Sequence, residues 1–238
     1  MIDAIYTFGW NYKAWDNPFS RLKLDFLASD MRILEIGASR YSITSLAFDG
    51  IVDEIVIGYY HEQEKVYLEN YLERVQRFYP LQSIYVLQKV DAFDVVGNFN
   101  LILMKSVLGG LMRTNESDFQ MVDDLIKMLV RDNLKINGAL ITLDNGKPFF
   151  HHLIKYFGAR KNNWRYFIKS DFKNFDEQHS FGTFSAFSLG TRLGSVGSFI
   201  DNYILYLVDV FVGTVFSSKP TVIATMYRKR NTVAKAQK

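Results

Sequence analysis

Apolar and polar positions recur along the chain in two periods, and the switches between them outline the fold. Short apolar runs at residues 31–36, 54–58, 83–88, 100–105 and 139–143 are each bounded by turn residues and read as buried strands. Helical spacing falls between them. Asn17-Pro18 reads as a cap and first turn opening a helix to about residue 28, and residues 42–48 look helical. Residues 62–78 form a long helix with Val66, Tyr67, Tyr71, Leu72, Val75 and Phe78 as its apolar stripe, and Ser117 caps another helix running to about residue 130. Strands alternating with helices require crossover connections, hence a largely parallel sheet wound right-handedly. Beyond residue 145 the pattern loosens. Residues 149–157 and 198–216 are expected to be helical, and residues 181–187 and 221–227 to be strands. The expected architecture is α/β: a doubly wound, largely parallel seven-stranded sheet with helices on both faces and a less regular late insertion.

The run 198–216 is long enough to cross a bilayer, but it contains Asp201, Asn202 and Asp209, and an aspartate is costly at the bilayer centre. Ile200, Ile204, Leu207, Val208, Phe211, Val212 and Val215 repeat at helical spacing, with the polar residues on another face. An amphipathic helix laid on the core is expected, in preference to a spanning one. The first four residues lack the basic start and apolar run of a secretory signal.

Composition narrows the chemistry. The 238 residues include no cysteine, which excludes a disulfide framework, a thiolate zinc site, an iron–sulfur cluster and a cysteine nucleophile. With 28 basic and 25 acidic side chains the net charge is +3, so nucleic acid is not an expected partner. The end is different: Arg228, Lys229, Arg230, Lys235 and Lys238 come with no acid. They read as a solvated, frayed terminus, or as a patch drawn to an anionic membrane surface at about 1 kcal/mol per basic residue.

Ligands of doubly wound sheets bind beyond the carboxyl ends of the strands, near the point where strand order reverses. There the chain places Glu35-Ile36-Gly37-Ala38-Ser39-Arg40-Tyr41 after the first strand, Tyr59 after the second and Asp91-Ala92-Phe93 after the third. Lys105 to Gly110 follow the fourth, and Asp144-Asn145 the fifth. The first of these segments matches an E/D-x-G-x-G-x-G loop. Together with Asp91-Ala92, Phe99 to Ile102 and the turn Leu134 to Gly138, it resembles the class I S-adenosylmethionine-dependent methyltransferases over about residues 30–145. Lys105 to Gly110 and Trp164-Arg165-Tyr166 resemble the branch of that family associated with bacterial surface-polysaccharide biosynthesis.

The resemblance implies a Rossmann-like single domain. Residues 1–30 would form an N-terminal helical segment, 31–145 the cofactor-binding core, 146–197 an acceptor-side insertion, 198–228 the final helix and strand, and 229–238 a basic tail. It implies S-adenosylmethionine as cofactor, with Glu35 accepting hydrogen bonds from the cofactor's amino group or from the loop. Gly37 and Ser39 would line the methionine portion, Tyr59 would face the ribose, and Asp91 and Ala92 the adenine. Ser39 and Tyr41 stand where the family has its second and third glycines, and Tyr59 where it has a ribose-binding acid, with Glu62 and Glu64 one turn later.

Methyl transfer to a sugar hydroxyl needs a base or a stabiliser of the developing alkoxide. Lys105 is a candidate stabiliser, or else an ordinary lysine at a strand end. His151 and His152 are adjacent, so only one can face inward, and the resemblance favours His152 as base. Asn145, Asp144, Trp164 and Arg165 are candidate acceptor contacts, the last two by ring stacking and by pairing with phosphate. Asp144-Asn145 is similar to a magnesium-binding pair, but Lys105 stands where another carboxylate is needed, so no metal is expected. The expected function is O-methylation of a sugar or lipid-linked glycan intermediate on the cytoplasmic side, peripheral to the membrane if the tail touches it. The alternative is a catalytically inactive methyltransferase-like subunit serving as scaffold or regulator. An oligomer is left open.

Overall fold

The central strands of the parallel sheet are apolar on both sides because both of their faces are covered. The structure, a computed structural model, describes residues 2–24, 26–111, 118–145, 175–182, 190–215 and 222–229. Helices α1 (Ala4–Phe8) and α2 (Tyr12–Phe19) precede strand β1 (Arg32–Ile36). A 3-10 turn (Thr44–Phe48), β2 (Glu54–Tyr59), α3 (Glu62–Gln76) and β3 (Ile84–Lys89) follow. Next come β4 (Phe99–Lys105), α4 (Val107–Leu111) and α5 (Asp118–Met128), which ends in a π-helical turn, Leu129–Asn133. The remainder is β5 (Leu134–Asn145), β6 (Phe175–Gly182), α6 (Gly190–Phe199), a π-helical turn (Ile200–Leu205), α7 (Tyr206–Val215) and β7 (Val222–Lys229).

The seven strands lie in the order β3-β2-β1-β4-β5-β7-β6. β1 to β5 pair in parallel, while β7 runs antiparallel between β5 and β6. Alternate residues of one strand serve opposite faces. Ile33, Ile55, Ile57, Leu101 and Leu103 join Phe8, Trp15, Phe19, Phe48 and the α3 residues Leu68, Tyr71 and Val75 on one side. Leu34, Val56, Ile102 and Met104 join Val122, Leu125, Ile126 and Leu129 on the other. Seven strands, parallel at the centre with both faces covered, are what the apolar runs predict.

Some boundaries and faces differ. Asn17-Pro18 closes a helix instead of opening one: α2 starts at Tyr12, and Ala14, Trp15, Pro18 and Phe19 form its buried stripe. Proline's missing N–H is tolerated there, in the last turn of a short helix held by packing. In α3 the buried positions are Leu68, Tyr71 and Val75, whereas Val66, Tyr67 and Phe78 are exposed. Leu134 to Gly138 lie within β5, where the pairing with β4 shifts register between Phe99 and Leu101. Asn137 takes a left-handed φ of 64° at this bulge, and a Cβ on Gly138 would lie 2.8 Å from the Asn100 carbonyl oxygen. β6 begins at Phe175 and ends at Gly182. It is an edge strand of mixed polarity, which hides its start from an apolar-run reading. β7 extends through Arg228 and Lys229, so these two belong to the sheet and not to a loose tail. Arg228 stacks over the Phe26 ring, and Lys229 Nζ donates to the carbonyls of Arg131 and Leu134.

The largest correction concerns residues 198–216. The helix is there, but it is turned over. Asp201 and Asn202 are 3% and 2% exposed, whereas Leu207 and Phe211 are 63% and 67% exposed. Hydrogen bonds decide the orientation. Asn202 Nδ2 donates to the Trp10 carbonyl (2.6 Å), its Oδ1 accepts from Lys13 N–H (3.0 Å), and Ser198 Oγ donates to Trp10 (3.0 Å). Asn17 Nδ2 donates to the Tyr206 hydroxyl at 2.5 Å. The polar face thus satisfies backbone groups where α2 begins, and such groups are costly to bury unpaired. No helix among the described residues is long and apolar enough to cross a membrane.

Candidate active site

Strand order reverses between β1 and β4, so the chain leaving each strand diverges and opens a crevice. Gly37 makes the bend out of β1 with φ +87°, a conformation L side chains rarely adopt, and a Cβ there would collide with Val107 Cγ2. Glycine here lets the β1 bend pack closely against the residues that leave β4. The following segment closes on itself: Ser39 and Ser42 exchange backbone hydrogen bonds at 3.0 and 3.1 Å, and Ser39 Oγ accepts from Tyr41 N–H. A tight turn with a serine cap thus replaces the second and third glycines. The Tyr41 ring stays 46% exposed, with the Arg40 guanidinium over it.

Glu35 points into the protein below this loop. Its Oε1 accepts from Thr44 N–H (2.8 Å) and its Oε2 from Ser45 N–H (2.7 Å), so both oxygens hold the chain just beyond the loop. Burial raises its carboxyl pKa, against the lowering effect of the Ser45 and Thr44 hydrogen bonds and of Lys105. Lys105, at the end of β4, donates from Nζ to the Phe8 carbonyl and to Ser42 Oγ, both at 2.9 Å, and lies over the Trp15 ring. Burial lowers its pKa to about 8, opposed by the Glu35 charge. In this arrangement Lys105 ties the N-terminal segment to the β1 loop.

The same segment braces the loop elsewhere. Ile43 N–H donates to the Tyr6 carbonyl, and the buried Tyr71 hydroxyl donates to the carbonyls of Tyr6 (2.7 Å) and Tyr41 (3.1 Å). Sequence reasoning missed this brace because nothing local marks it. The Tyr6 carbonyl takes one backbone and one side-chain donor, Ile43 and Tyr71, both far along the chain.

At the other strand ends, Asp91 is exposed, and one of its oxygens accepts from Phe93 N–H at 2.9 Å. Ala92 packs into the core beside it. Tyr59 is half-buried at the end of β2. Glu64 Oε2 accepts from the N–H groups of Tyr60 and His61, capping α3, and Glu62 approaches Lys89. That leaves Tyr59 as the polar group of β2 nearest the position of the family's ribose acid. Asp144 is buried, and Asp144 and Asn145 pair with Ile223 and Val222 on β7. Ser106, beyond Lys105, is exposed with a left-handed φ of 59°, and its N–H donates to the Leu143 carbonyl at 2.7 Å. A non-glycine residue in that region at a strand end is a feature of ligand sites, and its type gave no sequence signal. His152, Trp164 and Arg165 lie outside the described residues.

Seven strands ordered 3-2-1-4-5-7-6, with only the seventh strand reversed against the fifth, settle the architecture. The chain has the class I methyltransferase fold. Similar solved structures agree. The N-methyltransferase NodS from Bradyrhizobium japonicum superposes with a TM-score of 0.52 at 13% identity, over 93% of this chain and 97% of that one. YcgJ from Bacillus subtilis does so at 0.50 and 15%, over 87% and 94% of the two chains. A candidate methyltransferase from Bacillus halodurans gives 0.50 and 14%, over 87% and 95%. No family model and no curated protein matches the sequence.

The residues present fit S-adenosylmethionine best at the adenine position. Asp91 offers an exposed acceptor beside apolar Ala92, while at Gly37 the close approach is made by Val107 of the chain itself. At the ribose position a phenol replaces the carboxylate.

Proposed function

We propose that the chain is an S-adenosylmethionine-dependent O-methyltransferase acting on a sugar or glycan intermediate of surface-polysaccharide biosynthesis, on the cytoplasmic side. The observation that carries the methyl-transfer reading is the tight left-handed glycine bend at Gly37 at the β1–β4 switch point, with Ser39 and Tyr41 folded into a turn that leaves the tyrosine ring in solvent. S-adenosylmethionine, when bound, supplies an electrophilic methyl group on sulfur. Gly37 and Ser39 receive its methionine portion, the Tyr59 hydroxyl the ribose, and the Asp91 carboxylate the adenine amino group. Holding acceptor and donor in line supplies much of the acceleration in a displacement of this kind.

The acceptor reading rests on the Lys105 to Gly110 and Trp164 to Tyr166 segments. His152 takes the proton of the acceptor hydroxyl, Asn145 and Asp144 orient the acceptor, and Trp164 and Arg165 hold ring and phosphate. Lys105 is reassigned: its ammonium is committed to Phe8 and Ser42, so it positions the loop and does not meet an alkoxide. The test is transfer of labelled methyl groups to lipid-linked glycans extracted from the source cell. Label is expected in base-stable, ether-linked sugar methyl groups with the native chain and absent with His152→Ala. Transfer undiminished in His152→Ala would remove the assigned base, and label only on nitrogen would refute the O-methyl reading.

A further inference from the structure

Among the described residues, Ser106 and Asn137 are the non-glycine positions with a left-handed φ, and only Asn137 is explained by its type. Asn137 lies at the bulge in β5, and asparagine tolerates this region of backbone space. Serine does not favour it, yet Ser106 holds a φ of 59°. The serines of the β1 loop show what a local use of the side chain looks like: Ser39 Oγ accepts from Tyr41 N–H, and Ser42 Oγ accepts from Lys105 Nζ. Ser106 is exposed, and its hydroxyl has no hydrogen-bond partner among the described residues. Neither a cap nor a turn bond therefore accounts for a serine here. Strained residues of this kind persist where the surrounding structure over-determines them, and they cluster at active sites.

The surroundings of Ser106 are the switch point itself. Lys105 and Val107, on either side of it, are the residues that a Cβ on Gly37 would meet. Its own N–H donates at 2.7 Å to the carbonyl of Leu143, the residue before Asp144 and Asn145. Ser106 thus stands between the bend out of β1 and the end of β5, with its backbone pinned and its hydroxyl unused. Lys105 cannot serve an acceptor there, because its ammonium is committed to Phe8 and Ser42.

We propose that Ser106 is an acceptor-binding residue, its hydroxyl donating a hydrogen bond to the substrate oxygen that takes the methyl group. This rests on the methyl-transfer reading and adds a residue to it. The hydroxyl rotates about its Cβ–Oγ bond to follow that oxygen, and it keeps its own proton throughout. A donor aimed where negative charge develops favours the transition state over the bound substrate. It also suits an alcohol, because a protonated amine has no lone pair with which to accept.

The test compares Ser106→Ala, which removes the hydroxyl and keeps the strain, with Ser106→Gly, which removes both. Each is measured for urea unfolding, for calorimetric affinity towards S-adenosylhomocysteine, and for transfer of labelled methyl groups to lipid-linked glycans extracted from the source cell. Transfer at saturating S-adenosylmethionine is expected to fall about tenfold or more in both variants, with affinity for S-adenosylhomocysteine within about twofold of the native chain. The urea midpoint of Ser106→Gly is expected to rise above those of Ser106→Ala and the native chain, so a failure to fold does not explain its loss of transfer. Transfer at the native rate by Ser106→Gly overturns the proposal and leaves the turn a structural one. A fall in transfer matched by an equal fall in S-adenosylhomocysteine affinity overturns it too, since the residue would then serve the cofactor. If the native chain itself transfers no label, the methyl-transfer reading fails and the assignment falls with it.

Discussion

At the scale of single residues, Gly37 answers two constraints, its left-handed φ and the approach of Val107. Gly37→Ala is expected to cost about 1–3 kcal/mol in urea denaturation. Gly37→Val should abolish cofactor binding as well, and unchanged affinity would remove the loop from the site. Lys105 makes a different prediction. Its folded pKa of about 8 lies below the ordinary 10.5, so between those values the unfolded chain binds more protons than the folded one. The buried charge is carried in full below about pH 8, and stability from this group rises with pH above it. Lys105→Met should lose about 1–3 kcal/mol at neutral pH, with the Phe8 carbonyl and Ser42 left without their donor. It should also flatten the rise in urea midpoint between pH 8 and 9.5 relative to the native chain, a window that falls within that pKa difference. A parallel pH profile in the variant would contradict the assignment.

At the scale of elements, hydropathy and hydrogen bonding gave opposite orientations for the helix containing Asn202, and hydrogen bonding prevailed. Asn202→Leu is therefore expected to destabilise by about 2–4 kcal/mol, because it strands the Trp10 carbonyl and Lys13 N–H. Leu207→Asn, on the exposed side, should change stability by less than about 0.5 kcal/mol. Thermal and urea unfolding of the two variants would show the reverse order if the apolar face were the packed one. Periodicity located this helix and α3 but not their faces. A period of 3.6 shows that one side is apolar, and what that side meets depends on residues far away in sequence. In α3, Leu68 and Tyr71 are buried and Val66 exposed, and Tyr71 packs against Tyr6, a contact between chain segments more than sixty residues apart. Pro18 misled for a related reason: proline favours the first turn, but in α2 the packing of Trp15 and Phe19 decides the register.

At the scale of the molecule, the parallel sheet was legible because each central strand is buried on both faces and stands out as an unbroken apolar run. Its edges were less so. β6, polar and paired on one side only, carries no such run. Of the candidate site, the elements carried by the main chain, namely the Gly37 bend and the Asp91 turn, were legible in the motif. The commitments of Glu35 and Lys105 were not, since each is fixed by partners on other elements. If the crevice binds its cofactor, ligand at a hundred times its dissociation constant should stabilise the fold by about 2.7 kcal/mol, or roughly 5–10 °C in a chain of this size. The most direct test of the central claim is calorimetric titration of the full chain with S-adenosylhomocysteine. One site per chain, weakened at least about tenfold by Asp91→Ala, is the predicted result. The absence of binding heat and of thermal stabilisation at millimolar ligand would contradict it.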